Sequence, residues 1–315
     1  DGLTGNITAS ASADWAEGHF EQVEVSHRDK DVLALAPGST SGTYTSPVLQ
    51  TNQTFVGYGL TWYAIVPLGG QVSVASRSSL DGVLWSEWRT AIGEGYVAGN
   101  DRLISAEMVF GEAQYVQYRL ILGASPDGTS PTVRNIRISY ADSRPGPLAS
   151  DAAWTGATDA SAPAIISRAA WGANESLMTW PPEYRAARAM IMHHTVTDDG
   201  GIDPAAIVRA IYWYHAVERE WGDIGYNYLI DHYGRVYKGR YGDPGVVGHH
   251  AGDPYNYGSV GISLIGNLEE NPVPYAMFES AIDFLAYQCG MWGIDPIGET
   301  YLIDRWLPTI LGHRD

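Results

Sequence analysis

A change of composition between residues 142 and 163 constrains the fold of this chain more than any other feature. This stretch is rich in Ala, Ser, Pro, Gly and Asp and has no apolar periodicity. Because such a segment cannot bury enough apolar surface to order by itself, it predicts an interdomain linker. The chain should therefore fold as two domains, residues 1–141 and residues 164–315, and 315 residues are enough for two buried cores.

The segment before this linker has the pattern of an antiparallel β domain. Its runs alternate apolar with polar residues, and Gly, Pro or Asp-Gly breaks separate them; examples are GTYTSPVLQ, YGLTWYAIVPL and YVQYRLILGA. This pattern is typical of antiparallel sheets packed face to face. Residues 1–141 are therefore predicted to form a β-sandwich.

The segment after the linker alternates apolar strand patterns with helix patterns. The strands are predicted in AMIMHHTV, in the hairpin YNYLIDHYGRVYKGR and in SVGISLIGN, and the helices in PAAIVRAIYWYHAVEREW and MFESAIDFLAYQCGMWG. Asp203 is placed to cap the first helix, with Pro204 at its first position. Strands and helices at this spacing predict an α/β domain with a central mixed sheet.

Composition excludes several classes of function. A formal net charge of −17 leaves too few basic groups to neutralise phosphates, so nucleic acid is not an expected partner. No run of 18 apolar residues is present, which predicts no membrane span. Any signal peptide is expected to precede Asp1. The single cysteine, Cys289, excludes an internal disulfide; we expect a buried small hydrophobe, and the alternative is a catalytic thiol.

Histidines follow two apolar segments where a sheet would present them at its rim. His193 and His194 end the strand AMIM, and because a strand alternates faces only one of the two rings can enter a given pocket. His313 follows the apolar segment WLPTIL. Two imidazoles at neighbouring strand ends could ligate zinc, which prefers nitrogen and sulfur donors. From the spacing alone, ordinary capped or packed histidines are the favoured alternative.

Seven short blocks in the second domain carry a resemblance to a known family. They occur in the order ISRAAWGA (166–173), IMHHT (191–195), WGDIGYNYLID (221–231), YKGR (237–240), GHHAGDPYN (248–256), SVGISLIGN (259–267) and LGHRD (311–315). In this order and spacing the chain resembles the type 2 N-acetylmuramoyl-L-alanine amidases and the related peptidoglycan recognition proteins.

The resemblance implies a metal site and a catalytic tyrosine. The first His of the HHT block and the His of the GHRD block bind zinc in that family, which here gives His193 and His313. Their ring nitrogens should then approach within about 4 Å, since each would lie roughly 2.0–2.1 Å from the metal. The Tyr of the DIGY block assists catalysis and corresponds to Tyr226. Without the family blocks, a packed aromatic with a satisfied hydroxyl would explain Tyr226 as well.

The resemblance also implies a substrate groove and a third metal ligand. Substrate-binding positions correspond to His194, His250 and Asn256, although His194 also suits a supporting role. The family continues past the GHRD block to a third ligand, usually Cys, whereas this sequence ends at Asp315. Asp315 is too near His313 to match that ligand, and Cys289 precedes it. The third ligand is therefore expected beyond the residues of this sequence.

These features together predict an extracellular or wall-associated zinc amidase. Its expected reaction is hydrolysis of the amide between N-acetylmuramic acid and L-alanine in peptidoglycan. The alternatives are a non-catalytic peptidoglycan-binding module and a structural surface component that keeps the fold. The first domain is predicted to dock to the cell surface or to a partner domain through Trp85 and Trp88 if they are exposed. The competing expectation is that both tryptophans fill the core.

Overall fold

The computed structural model describes residues 3–9, 12–27, 31–91, 93–94, 102–106, 108–147 and 163–315. The chain divides into two compact units, Gly2–Asp142 and Ser143–Asp315. Most of the predicted linker, residues 148–162, lies outside the described residues.

The first unit contains twelve strands and one short helix among its described residues. They are β1 (Leu3–Ala9), α1 (Ser12–Trp15), β2 (His19–Glu21), β3 (Val23–Ser26), β4 (Val32–Leu35), β5 (Ser41–Thr45), β6 (Leu49–Ile65), β7 (Gln71–Ser79), β8 (Arg89–Ala91), β9 (Gly93–Glu94), β10 (Arg102–Ala106), β11 (Val109–Gly123) and β12 (Thr132–Asp142).

These strands form one hydrogen-bonded sheet, so the predicted sandwich of two separate sheets is not confirmed. The main path runs β2-β5-β11-β6-β12-β4-β3, and the other five strands branch from it. The long strand β6 is the reason, since its first half pairs with β11 and its second half with β12, both antiparallel. One strand thus joins these pairings into a single sheet.

The first unit buries its core on the inward face of its long strands. Leu60, Trp62 and Ala64 of β6 alternate inward, as the two-residue period of a strand requires. They pack in one cluster with Tyr118 and Leu120 of β11. The buried face of β6 therefore follows the two-residue period of a strand.

Trp85 and Trp88 do not fill this core, which corrects the core-filling expectation. Both are partly exposed. The guanidinium of Arg77 lies 4.8 Å from the ring centroid of Trp85 and 4.7 Å from that of Trp88, and Arg119 lies 4.2 Å from Trp88. Arg77 is held in turn by bonds from its Nε and Nη2 to Gln117. The stack is an ordered surface feature, and its contact with a cell surface stays a prediction.

The second unit is an α/β domain with a mixed sheet. Its strands are β13 (Ile165–Ile166), β14 (Ala189–His194), β15 (Tyr228–Ile230), β16 (Val236–Lys238), β17 (Ser259–Leu264), the hairpin β18 (Glu299–Leu302) and β19 (Arg305–Pro308), and β20 (Ile310–Gly312). The six-stranded sheet has the order β13-β16-β15-β17-β14-β20, in which β15 and β16 are antiparallel and the other neighbours parallel. This confirms the predicted mixed sheet.

The helices of the second unit are α2 (Arg168–Trp171), α3 (Pro204–Trp213) and α4 (Tyr275–Trp292), and a π-helical turn, Tyr214–Glu218, continues α3. Asp203 caps α3 as predicted, because its carboxylate accepts a hydrogen bond from the amide of Ala206. No helix in the described part of the chain is long and apolar enough to cross a membrane.

The side chains of strand β14 point alternately to the two faces of this sheet. Met190 packs with Phe284 of α4, whereas Ile191 packs with Leu311 on the opposite face. Cys289 is buried within α4, as expected for a small hydrophobe. Because side chains alternate along a strand, His193 continues the face of Ile191 and His194 the face of Met190.

Candidate metal centre and its surroundings

His193 and His313 converge because their strands are parallel neighbours. In β14 and β20, Met192 lies opposite Gly312, and the amide of His313 donates to the carbonyl of Met192 at 3.0 Å. Parallel strands end at the same edge of a sheet, so both imidazoles reach that edge. The Nδ1 atoms of His193 and His313 are 3.1 Å apart, which confirms the predicted approach within about 4 Å.

This separation fits two ligands of one tetrahedral ion. Two nitrogens each about 2.05 Å from zinc at a tetrahedral angle would lie roughly 3.3 Å apart. Among the residues that the structure describes, no cluster of three or more His, Cys, Asp or Glu is arranged to hold a metal. Cys289 does not complete the pair, because α4 packs on the face of the sheet opposite to His193.

Burial favours the neutral form of two histidines of the site, His193 and His250. Burial, together with the neighbouring His250 and His313, lowers the pKa of His193 to about 2. Burial likewise lowers the pKa of His250 to about 3, with His313 as a second cause. A neutral imidazole offers one nitrogen lone pair, which is the form that a metal ion binds.

Tyr226 lies beside this pair. Its ring centroid is 5.4 Å from that of His193 and 5.5 Å from that of His215. Tyr226 is partly exposed, whereas His215 is buried and accepts a hydrogen bond from the amide of Gly225 at its Nδ1. The structure therefore brings Tyr226 to the site and places the buried His215 beside it in a supporting position.

A buried ion pair holds the turn that carries Tyr226. Asp223 accepts hydrogen bonds from the amides of Ile224 and Tyr241, and its Oδ1 lies 3.1 Å from Nη1 of Arg168. Arg168 also pairs with the more exposed Glu175. The turn is thereby fixed to two other segments of the domain.

Replacing Asp223 by Asn should therefore destabilise the domain and leave its fold intact. The amide keeps an acceptor for one backbone N–H but removes the charge opposite Arg168, which retains Glu175. We expect the free energy of unfolding to fall by about 2 kcal/mol, the usual cost of losing a charged hydrogen bond. Urea unfolding would measure it, with Asp304→Asn, whose carboxylate is exposed, as the control. Equal stability of the two variants would contradict this assignment.

The predicted groove residues take different positions. Asn256 is 1% exposed, and its Oδ1 accepts the amides of His250 and Ala251. His250 is 6% exposed, and its Nδ1 lies 3.0 Å from Nε2 of His193. Asn256 thus clamps the loop that carries His250, and a direct substrate contact by either residue stays a prediction.

His194 is not brought into this group. It faces the other side of β14, and its Nδ1 accepts a hydrogen bond from the amide of Leu268. It therefore supports the loop after β17, in line with the supporting role considered for it.

Sequence reasoning missed Ser259 and two glycines around His250. The hydroxyl of Ser259 lies 3.5 Å from Nε2 of His250. A methyl group on Gly248 or Gly261 would overlap the His250 ring. A glycine inside the strand SVGISL was the available signal, because strand glycines often mark close approach of another group.

The fold and the site define an α/β domain with paired histidines at the carboxyl edge of a mixed sheet. The family model described as N-acetylmuramoyl-L-alanine amidase matches residues 183–315. Peptidoglycan recognition protein 1 of Bos taurus is 33% identical over 156 residues, 48% of this chain and 74% of that protein. Peptidoglycan-recognition protein SC2 of Drosophila melanogaster is 35% identical over 152 residues, 48% of this chain and 75% of that protein.

A solved structure of Drosophila PGRP-LB is 32% identical and covers 48% of this chain and 82% of that chain, with a TM-score of 0.39. On the sequence relatives, the chain belongs to the family of peptidoglycan recognition proteins and type 2 N-acetylmuramoyl-L-alanine amidases. The resemblance stated from its seven blocks is thereby confirmed.

Proposed function

We propose that this protein is a zinc-dependent peptidoglycan amidase that hydrolyses the amide between N-acetylmuramic acid and L-alanine. The observation that carries the proposal is the pair of Nδ1 atoms of His193 and His313, 3.1 Å apart, with the Tyr226 ring beside them. Converging imidazole nitrogens and a partly exposed phenol are the groups that metal-assisted amide hydrolysis needs.

His193 and His313 would hold the metal through their Nδ1 atoms. Zinc bound there would supply Lewis acidity and a water nucleophile that is acidic near neutral pH. Tyr226 would orient this water or donate its phenolic proton to the oxygen that becomes negative at the scissile carbonyl. The leaving amine must gain a proton, and the phenol of Tyr226, which is partly exposed and lies beside His193, would supply it.

The substrate sets the location. Peptidoglycan lies outside the cytoplasmic membrane, so we propose that the protein acts extracellularly or at the cell wall. A test is release of L-alanine-terminated stem peptides from purified sacculi, its loss with a chelator, and its return with zinc. Release that survives complete removal of metal would contradict the proposal.

A non-catalytic peptidoglycan-binding module is the second candidate. One observation favours it: the relatives are named recognition proteins. The same assay separates the candidates, because a recognition module would sediment with sacculi and release no stem peptide at any zinc concentration.

The Trp85–Arg77–Trp88 stack is the surface of the first unit that we propose for wall docking. Changing both tryptophans to Ala in the full chain should weaken sedimentation with sacculi about 5-fold, since aromatic contacts contribute about 1 kcal/mol. Changing both to Phe keeps flat rings and should preserve most of the binding. Unchanged sedimentation of the double Ala variant would rule out docking through this stack.

A further inference from the structure

The ring of His250 is packed closely by its surroundings. Glycines 248 and 261 flank it so closely that a Cβ at either would overlap the imidazole. Its backbone amide is fixed by a 2.8 Å hydrogen bond to Oδ1 of Asn256. Two glycines and a buried amide therefore keep this ring against His193, an arrangement more constrained than a groove residue needs.

Both nitrogens of this ring face protein groups. Nδ1 lies 3.0 Å from Nε2 of His193, and Nε2 lies 3.5 Å from the hydroxyl of Ser259. Neither nitrogen is left for a substrate, and the residue is buried. These contacts instead determine which ring nitrogen of His250 and of His193 carries the proton, since a neutral imidazole has one N–H and one lone pair.

Ser259 determines which nitrogens donate and which accept in the contacts that join Ser259, His250 and His193. Its single hydroxyl proton is used in a 2.6 Å hydrogen bond to the carbonyl of Tyr255. The hydroxyl therefore turns a lone pair toward His250, which favours the N–H of that ring at Nε2. His250 Nδ1 is then an acceptor, so it accepts a hydrogen bond from the N–H at Nε2 of His193. This leaves the lone pair of His193 on Nδ1, the atom that faces His313.

We propose that Ser259 and His250 are positioning residues that fix His193 in its Nε2–H tautomer and so direct its Nδ1 lone pair to the metal position. This inference rests on the proposed function, because it assigns the Nδ1 atoms of His193 and His313 as ligands. Hydrogen bonds to the second nitrogen of a ligating histidine set its tautomer and orientation. His250 then acts through His193 and makes no substrate contact of its own.

Three variants of the full chain test this relay, by which we mean the hydrogen-bonded series Ser259–His250–His193. His250→Leu removes the acceptor for His193, His250→Asn retains a side-chain oxygen near the position of Nδ1, and Ser259→Ala removes only the hydroxyl. We expect His250→Leu to weaken zinc binding about 10- to 100-fold, the range for loss of an outer hydrogen-bond partner. His250→Asn should recover most of that loss, and Ser259→Ala should weaken binding by a smaller factor. Competition with a chelator measures these affinities.

The tautomer is measured separately, on zinc-free protein. Long-range 1H–15N NMR distinguishes protonated from unprotonated ring nitrogens, and we expect His193 to carry its proton at Nε2 in the parent. Ser259→Ala, which changes least and should fold normally, should populate both tautomers. A parent with His193 protonated at Nδ1 would overturn the relay, as would parental zinc affinity in both Ser259→Ala and His250→Leu. A parent that binds no zinc would instead overturn the proposed function, and the NMR result would still decide the relay.

Discussion

His193→Ala should abolish zinc binding and with it the release of stem peptides from sacculi. One of two Nδ1 atoms 3.1 Å apart is removed, and a methyl group supplies no lone pair. Because the metal would provide both the nucleophile and the Lewis acid, no residual amidase activity above background is expected. Metal content after dialysis and peptide release are the two measurements.

His194→Ala is the matched control for this experiment. The two residues are adjacent in the chain, but His194 lies on the other face of β14 and accepts a hydrogen bond from the amide of Leu268. The control should keep its zinc and most of its activity, with some loss of stability from the freed amide. If His194→Ala emptied the site while His193→Ala retained zinc, the assignment of the ligands would be reversed.

The difference between these two histidines shows what strand periodicity can predict. The alternation of faces in AMIMHH requires the two rings to diverge, and the apolar segment before His313 places that residue at a strand end. Both expectations depend on local sequence alone. That β14 and β20 are direct neighbours does not follow from periodicity, and it was the family resemblance that paired the two histidines.

The relay through His250 could not be predicted, because it depends on register. Ser259 lies near the His250 ring because β17 starts beside the loop that Asn256 holds. Hydrogen bonds across such a loop produce no periodic pattern in the sequence. Ser259 and Gly261 also do not point to this role by residue type alone. A buried serine and a strand glycine each occur in many sheets without a histidine between them.

The first unit shows the same limit on a larger scale. Alternation predicted antiparallel strands, and the structure buries Leu60 and Trp62, two residues apart, on one face of β6. Alternation did not predict that β6 continues for 17 residues and pairs with β11 and then β12. A run of alternating residues determines which side chains point inward. It does not show at which residue a long strand stops pairing with one partner strand and starts pairing with another.

Tyr226→Phe should lower turnover by roughly 10²-fold or more while zinc content stays at the parental level. The substitution removes only the phenolic hydroxyl, so the ring still packs between His193 and His215, whose centroids lie 5.4 and 5.5 Å away. If that hydroxyl orients the water or donates to the developing oxyanion, its loss affects the transition state more than substrate binding. The KM for soluble muramyl peptide should therefore change little while kcat falls.

Tyr233→Phe provides a control with the same chemical change outside the site, since Tyr233 is exposed and its hydroxyl donates to the carbonyl of Gly201. It should cleave at the parental rate. Equal turnover of Tyr226→Phe and the parent would make Tyr226 a packing residue, and a fall in zinc content would mean that its hydroxyl supports the metal ligands. Because His193→Ala removes the metal and Tyr226→Phe is expected to keep it, the two variants separate a ligand from an acid–base group by metal content alone.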